Sequence, residues 1–381
     1  MLMKTKLRSI LCAVLALCLL LGCLAGCGAN KTPALETEAL ACIHEPEFGG
    51  VYIENTIDDF NARGFAYGDS VTVTFSNGYV LDDLPYYNGY YTVTGEPLLV
   101  AYPGYDYIKA AINNGDDLWT VAGLDESCTA VIALKTRGAY LDIQEARDIH
   151  YEDDRSLFDS DEVFANFRGV SVGNLKENTL YRSASPCDNQ HNRAPYVDSL
   201  IAQAGVQYIV DLADNEEKIA GYLAKEDFAS PYFLSLYENG QVIPLALNMN
   251  YGSDEFKEKV VRGLCAMAEH DGPYLVHCTE GKDRTGFFCA LLEAFAGATY
   301  DEIAADYMLT YDNYYGITKE SDPAKYETIQ ESLFVPMLQS IAGAETDVEN
   351  ADLAACAETY LLDAGMTQAQ IDALRARLTA A

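Results

Sequence analysis

Apolar and polar positions alternate with two different periods along this chain, and the period changes near residue 150. Before that point, short runs of β-branched and aromatic residues stop at Gly, Asn, Asp or Pro. Residues 71–75 read Val-Thr-Val-Thr-Phe and run into the turn formers Ser76-Asn77-Gly78; residues 90–94, 98–102 and 130–134 are similar runs. Such runs predict strands, and together a small, mostly β domain over 51–150. After it, strand-length apolar runs alternate with amphipathic stretches of helix length, which predicts an α/β sheet flanked by helices over 155–381. Leu180–Ser183 reads as a strand end, and 206–212 and Tyr274–His277 as buried strands. Residues 196–204, 253–270, 284–295, 300–309, 324–341 and 347–378 read as helical, with Ser253 as an N-cap and Asp271-Gly272 as a stop. The acidic stretch 153–165 predicts a linker and entry segment. No internal repeat is present.

The first 26 residues have a different character. A short basic region, Met1 to Arg8, precedes an apolar stretch over 9–21 that is too short to span a bilayer comfortably. It ends in Leu24-Ala25-Gly26-Cys27, which resembles the bacterial lipobox, whose cysteine is acylated and becomes the first mature residue. Leu20-Leu21-Gly22-Cys23 is a second match; Cys27 is preferred because it lets the apolar run finish before the cut. The expectation is a signal peptide over 1–26, a lipid on Cys27, a tether over 27–50, and an extracytoplasmic protein held at the cell membrane.

Charge narrows the partners. The chain has 58 acidic and 25 basic residues, a net charge of −33. Lys4, Lys6 and Arg8 sit in a targeting segment that holds no acid, so the mature chain is relatively more acidic still. That field repels nucleic acid and anionic headgroups. A site for a phosphorylated substrate must then be a local basic pocket. Seven cysteines lie beyond Cys27: Cys42, Cys128, Cys187, Cys265, Cys278, Cys289 and Cys356. None is spaced as a zinc site requires, and no metal or cofactor is expected. Export permits disulfides without dictating their pattern.

One segment carries chemistry. His277-Cys278-Thr279-Glu280-Gly281-Lys282-Asp283-Arg284-Thr285-Gly286 joins the apolar run Tyr274–His277 to a helical stretch. A loop between a strand and a helix start points backbone N–H groups and the positive helix end into one cradle for an oxyanion. A sulfur placed there is favoured as thiolate, and Cys278 is the expected nucleophile. Arg284, six residues on, can fold back as a planar fork onto two phosphate oxygens, which Lys cannot do. Thr285 can donate its hydroxyl to the sulfur as leaving group, and Gly281 and Gly286 permit a tight turn and close helix approach. His277 braces the loop from behind. Thr279, Glu280, Gly281, Lys282 and Gly286 are the expected substrate-side residues, with Glu280 opposing an anion unless it points outward.

Cys278-Thr-Glu-Gly-Lys-Asp-Arg-Thr-Gly resembles the loop of the bacterial cysteine-based protein tyrosine/serine phosphatases that also act on phosphoinositides. The likeness spans 164–379 and includes Asn166-Phe167-Arg168, Leu180-Tyr181-Arg182-Ser183, Ile209-Val210-Asp211-Leu212 and Asp306-Tyr307-Met308-Leu309. It implies a four- or five-stranded sheet flanked by helices and metal-free catalysis. Gly169 and Ala213 depart from the Asp and Arg usual there. The resemblance favours Asp283 as the general acid; Asp211 and Asp214, at the end of a predicted strand, are rivals, and Asp211 can alternatively pair with Arg168 or Arg182. Those arginines are expected to pack and salt-bridge, or to anchor the loop. Lys282 fits substrates with a second phosphate or a solvated loop position equally. Residues 68–140 more distantly resemble the C-terminal β domain of the SAM-hydrolysing and halogenating enzymes, on Gly68-Asp69-Ser70-Val71 and 107–115, which implies a supporting or binding module. The expectation is a phosphomonoester hydrolase acting on a phosphorylated protein, or on inositol phosphate. A phosphate-binding pseudoenzyme is the alternative from another class.

Overall fold

The computed structural model describes residues 35–150 and 152–380. Cys27, its signal segment and the first part of the expected tether lie outside the described residues. Seven strands, β1 (Leu40–His44), β2 (Val51–Ile53), β3 (Ser70–Phe75), β4 (Val80–Tyr87), β5 (Pro97–Val100), β6 (Ile108–Ile112) and β7 (Thr129–Thr136), close into a barrel in the order β1-β2-β6-β5-β4-β3-β7. All pairings are antiparallel except β4 with β5. Closure leaves no strand edge unpaired. Inward positions alternate along each stave: Val51 and Ile53, Val71, Val73 and Phe75, Ala130 and Ile132 fill the interior.

Two expectations need correction here. The tether over 27–50 ends sooner, because Leu40–His44 is a barrel stave hydrogen-bonded to both β2 and β7. The run 90–94 forms no strand; Tyr90 and Tyr91 pack instead on Tyr87, Leu98, Val100 and Ala111 outside the barrel.

Beyond the barrel, β8 (Arg168–Val170), β9 (Leu180–Ser183), β10 (Tyr208–Asp211), β11 (Val242–Pro244) and β12 (Tyr274–His277) form a sheet ordered β11-β10-β12-β9-β8. Four strands are parallel and β8 is the antiparallel edge. Every residue of β9, β10 and β12 is buried, as expected for parallel strands covered on both faces. One face carries the larger core around the helix Asp283–Phe295; the other carries a smaller core with the helices Ala194–Ala204 and Pro231–Glu238. The helix expected over 324–341 is interrupted by a π-turn, Gln330–Phe334, next to Pro336, whose missing N–H disturbs the regular ladder. That expected over 347–378 is two helices, parted where Gly365 takes φ +102°.

The helix Leu141–Arg147 joins the two units. Ile143 packs on the outer barrel cluster, while Ala146 belongs to the larger core of the sheet unit. Gln144 locks the helix to the barrel: its amide donates to Asn88 Oδ1 at 2.7 Å and accepts from the Asn88 N–H at 3.2 Å.

Candidate active site

The central strand β12 delivers its carboxyl end, His277, to a crevice between β9 and β10, the place where open parallel sheets bind ligands. Cys278 follows at once, 3% exposed and a free thiol. The helix Asp283–Phe295 begins after Lys282.

Between them, three successive carbonyls are held by the surrounding protein and a fourth by the first turn of the helix itself. Thr279 O accepts from the Ser185 N–H at 3.1 Å, Glu280 O from Tyr314 Oη at 2.7 Å, Gly281 O from Arg182 Nη2 at 2.8 Å, and Lys282 O from the Gly286 N–H at 2.7 Å. Asn166 Nδ2 reaches Gly281 O as well, at 3.3 Å. With the carbonyls engaged, the amides of Thr279, Gly281, Asp283 and Arg284 have no acceptor among the described residues. Donors in a row at a helix start make an anion cradle. Gly281 is required in this path: it takes φ +68°, and a Cβ there would meet Ser183 O at 2.2 Å.

The anchors converge on Asp306. Arg168 Nε donates to its Oδ1 at 2.7 Å, Arg182 Nη1 pairs with its Oδ2, and Arg168 Nη1 also donates to Asn166 Oδ1 at 2.6 Å. Burial alone would raise the Asp306 carboxyl; the two guanidiniums overcome it and hold the group well below the ordinary carboxylate range. Arg168 and Arg182 therefore serve the loop, and the alternative pairing of either with Asp211 is corrected: both are taken by Asp306. Sequence alone assigns no role to Asn166, Tyr314 or Asp306, although Asn166 and Asp306 stand in the Asn-Phe-Arg and Asp-Tyr-Met-Leu motifs.

Arg284 folds back over the loop. Its Nη2 lies 3.3 Å from Thr279 Oγ1 and its Nη1 3.4 Å from Leu247 O, and it makes no ion pair among the described residues. Lys282 Nζ sits 3.5 Å from Glu280 Oε2 and 3.7 Å from Asp283 Oδ2. The Glu280 carboxylate lies between Lys282 and His191, so both charges are engaged at the rim. Thr285 Oγ1 is buried and makes no hydrogen bond, to the sulfur or to any other described atom. Gly286 gives the room expected of it, since a Cβ would meet the Tyr307 ring at 2.8 Å.

Behind the loop lies a second polar group. His277 Nδ1 is 3.4 Å from Cys278 O, consistent with a brace, and its Nε2 is 4.0 Å from Asp211 Oδ1. Burial lowers the imidazole pKa to about 4, so it is neutral at pH 7. Asp211 Oδ1 accepts from the amides of Ala213 and Asp214 at 2.9 and 3.1 Å. Burial raises the Asp211 carboxyl to about 6; burial, and then Asp211 itself, do the same to Asp214. With Cys187 these carboxyls bring three donor atoms within 4.8 Å of one another. Asp211 and Asp214 are 0% and 2% exposed, whereas the Asp283 side chain, on the loop itself, is 35% exposed.

A model of the tyrosine phosphatase family matches residues 164–380. A tyrosine-protein phosphatase from Nostoc commune is 30% identical over 138 residues, 32% of this chain and 46% of that protein. A triple specificity protein phosphatase, PtpB, from Mycobacterium tuberculosis is 29% identical over 147 residues, 33% of this chain and 53% of that protein. The chain thus spans about half the length of these relatives. Among solved structures, TpbA of P. aeruginosa in complex with phosphotyrosine aligns with 51% of this chain and 94% of its own at 18% identity, with a TM-score of 0.27, too low to bear on the fold.

Proposed function

The chain belongs to the tyrosine phosphatase family, and from that premise we propose that it hydrolyses phosphomonoesters through a phosphocysteine on Cys278. The observation that carries this reading is the loop, with the carbonyls of Thr279, Glu280 and Gly281 engaged by neighbouring segments and that of Lys282 by the helix's own first turn, while Arg284 folds back over it. Amides and guanidinium are then preorganised for three equatorial phosphoryl oxygens. The Cys278 thiolate attacks phosphorus, the S–P bond forms as the P–O ester bond breaks, and Asp283 gives its proton to the leaving oxygen. A water then attacks phosphorus, Asp283 takes its proton, and the thiolate leaves. Thr285 Oγ1, buried and without a hydrogen-bond partner among the described residues, is the proposed donor that turns to the sulfur as it departs. Asp283 is preferred to Asp211 and Asp214 because it alone of the three is on the loop and reachable by a substrate.

Phosphotyrosine is the proposed substrate group, with phosphoserine, phosphothreonine or phosphoinositide as further ones. Hydrolysis of p-nitrophenyl phosphate tests the reading: the parent chain should turn it over and Cys278→Ser should fall to background. Equal rates would refute the cysteine mechanism.

The proposed setting is the outer face of a membrane, with lipid on Cys27; the basic, apolar and lipobox-like succession before that residue supports it. Metabolic labelling with a fatty acid that disappears in Cys27→Ser is the expected result. The barrel, in which the stretch 68–140 forms β3 to β7, is proposed as a supporting or binding module.

A further inference from the structure

Behind the phosphate loop, three strand ends bring four donor side chains together. Cys187 follows β9, Asp211 ends β10 with Asp214 just beyond it, and His277 ends β12. The Cys187 sulfur and one oxygen each of Asp211 and Asp214 lie within 4.8 Å of one another, and His277 Nε2 is 4.0 Å from Asp211 Oδ1. None of the four residues is more than 3% exposed. The His277 ring carries its hydrogen on Nδ1, because Nδ1 faces the carbonyl oxygen of Cys278 at 3.4 Å. Nε2 is then a lone-pair acceptor. It makes no hydrogen bond among the described residues, and neither do Asp211 Oδ2 and Asp214 Oδ2. The nearby donors, Tyr222 Oη at 3.2 Å and Lys218 Nζ at 4.0 Å, both go to Asp214 Oδ1. Buried acceptors thus face one another with no donor between them.

Acceptors in that relation are stabilised by a cation, and the donor set selects which. Thiolate sulfur, imidazole nitrogen and carboxylate oxygen together suit zinc and its neighbours, whereas magnesium and calcium take oxygen. A ligating histidine usually gives its other ring N–H to a carbonyl or carboxylate, the relation Nδ1 has with Cys278 O here. Ligand atoms around a tetrahedral zinc stand roughly 3.3–3.8 Å apart, so the group closes by about 1 Å on binding. Cys187 also lines a narrow cleft with Tyr222, Lys225 and Ser230, which gives an ion a way in. The net charge of −33 favours cations near the chain. The group is tied to the phosphate loop as well: Ser185, whose N–H holds Thr279 O at 3.1 Å, has its hydroxyl 3.4 Å from the Cys187 sulfur. The four donors come from three separate segments, so no sequence spacing announces them.

We propose that Cys187, Asp211, Asp214 and His277 bind one divalent cation of the zinc class, which ties the ends of β9, β10 and β12 together behind the phosphate loop. Cys187 gives its thiol proton to solvent as the sulfur–metal bond forms, and both carboxyls bind as carboxylates. The ion touches no reacting atom, so the site stands or falls apart from the phosphatase reading. Without the ion the facing acceptors are a cost to the fold; with it they become ligands. The test uses the full chain carrying Cys278→Ser, which removes the loop thiol as a rival ligand. Reduced and stripped with chelator, it is titrated with Co2+ as a spectroscopic stand-in for zinc. The expected result is one equivalent bound, with thiolate-to-cobalt charge transfer in the near ultraviolet and the strong visible bands of a four-coordinate ion. Zn2+ should abolish these bands and raise the melting temperature, and excess Mg2+ should do neither. Adding Cys187→Ser should remove the charge-transfer band and the thermal shift. Adding Asp214→Asn instead should weaken Co2+ binding at least about tenfold. Circular dichroism confirms the fold of each variant. Absence of the charge-transfer band, its survival in Cys187→Ser, its loss to Mg2+, or unchanged affinity in Asp214→Asn would each overturn the site.

Discussion

Asp283, Asp211 and Asp214 are three carboxyls around one loop, and exposure gives them different work. A general acid matters most when the leaving oxygen is strongly basic. Asp283→Asn is therefore expected to slow phenyl phosphate about 10²–10⁴-fold and p-nitrophenyl phosphate much less, whereas Asp211→Asn should show no dependence on the leaving group. Arg284→Lys keeps a charge but loses the fork, and kcat should drop about 10²–10³-fold. The buried carboxyls report on stability instead. Because the folded pKa of Asp211 is raised to about 6, the folded state keeps a proton that the unfolded chain has released above the ordinary carboxylate range. Stability from this group is present below that range and is lost as pH climbs to 6 and beyond. Asn can still accept from the amides of Ala213 and Asp214 without a charge to bury. Asp211→Asn should thus raise the melting temperature at pH 7.5 and leave it nearly unchanged at pH 4. An equal shift at both pH values would contradict the assignment.

Among the elements, those that carry the chemistry were the most legible. Tyr274–His277 and the helix start near Arg284 follow from a continuous apolar run, glycine-bearing turn chemistry and a second apolar run. Ser253 caps its helix as read, accepting from the Phe256 N–H at 3.2 Å. What stayed hidden depends on distant partners. Leu40–His44 is a stave only because β2 and β7 flank it, and its five residues amid polar sequence carry no such sign. The run at 90–94 has strand composition, yet its tyrosines are used to pack outside the barrel. The short strand Val242–Pro244 is likewise defined by its pairing with β10. The anchoring of the loop by Asp306 is tertiary, since its partners Arg168 and Arg182 lie on other elements. Removing that carboxylate leaves two buried guanidiniums facing each other. Asp306→Ala should cost about 3–5 kcal/mol in denaturant unfolding, with loss of activity, and a cost under ~1 kcal/mol would mean that the triad does not hold the loop.

For the molecule as a whole, a local basic site works inside a strongly negative field, with a net charge of −33. Long-range repulsion of a phosphorylated substrate is screened as the Debye length shortens from about 30 Å at 0.01 M to about 8 Å at 0.15 M salt. The kcat/KM for p-nitrophenyl phosphate should therefore rise over that range through KM, in contrast to the fall expected of an electrostatically attractive enzyme.

The central claim is that the Cys278 sulfur becomes bonded to phosphorus. Mixing the chain with a phosphotyrosyl peptide, quenching in acid within a single turnover and sequencing the peptides by mass spectrometry tests it directly. The expected result is phosphate on Cys278 and none in Cys278→Ser. Phosphate on another residue, or unchanged hydrolysis by Cys278→Ser, would contradict it.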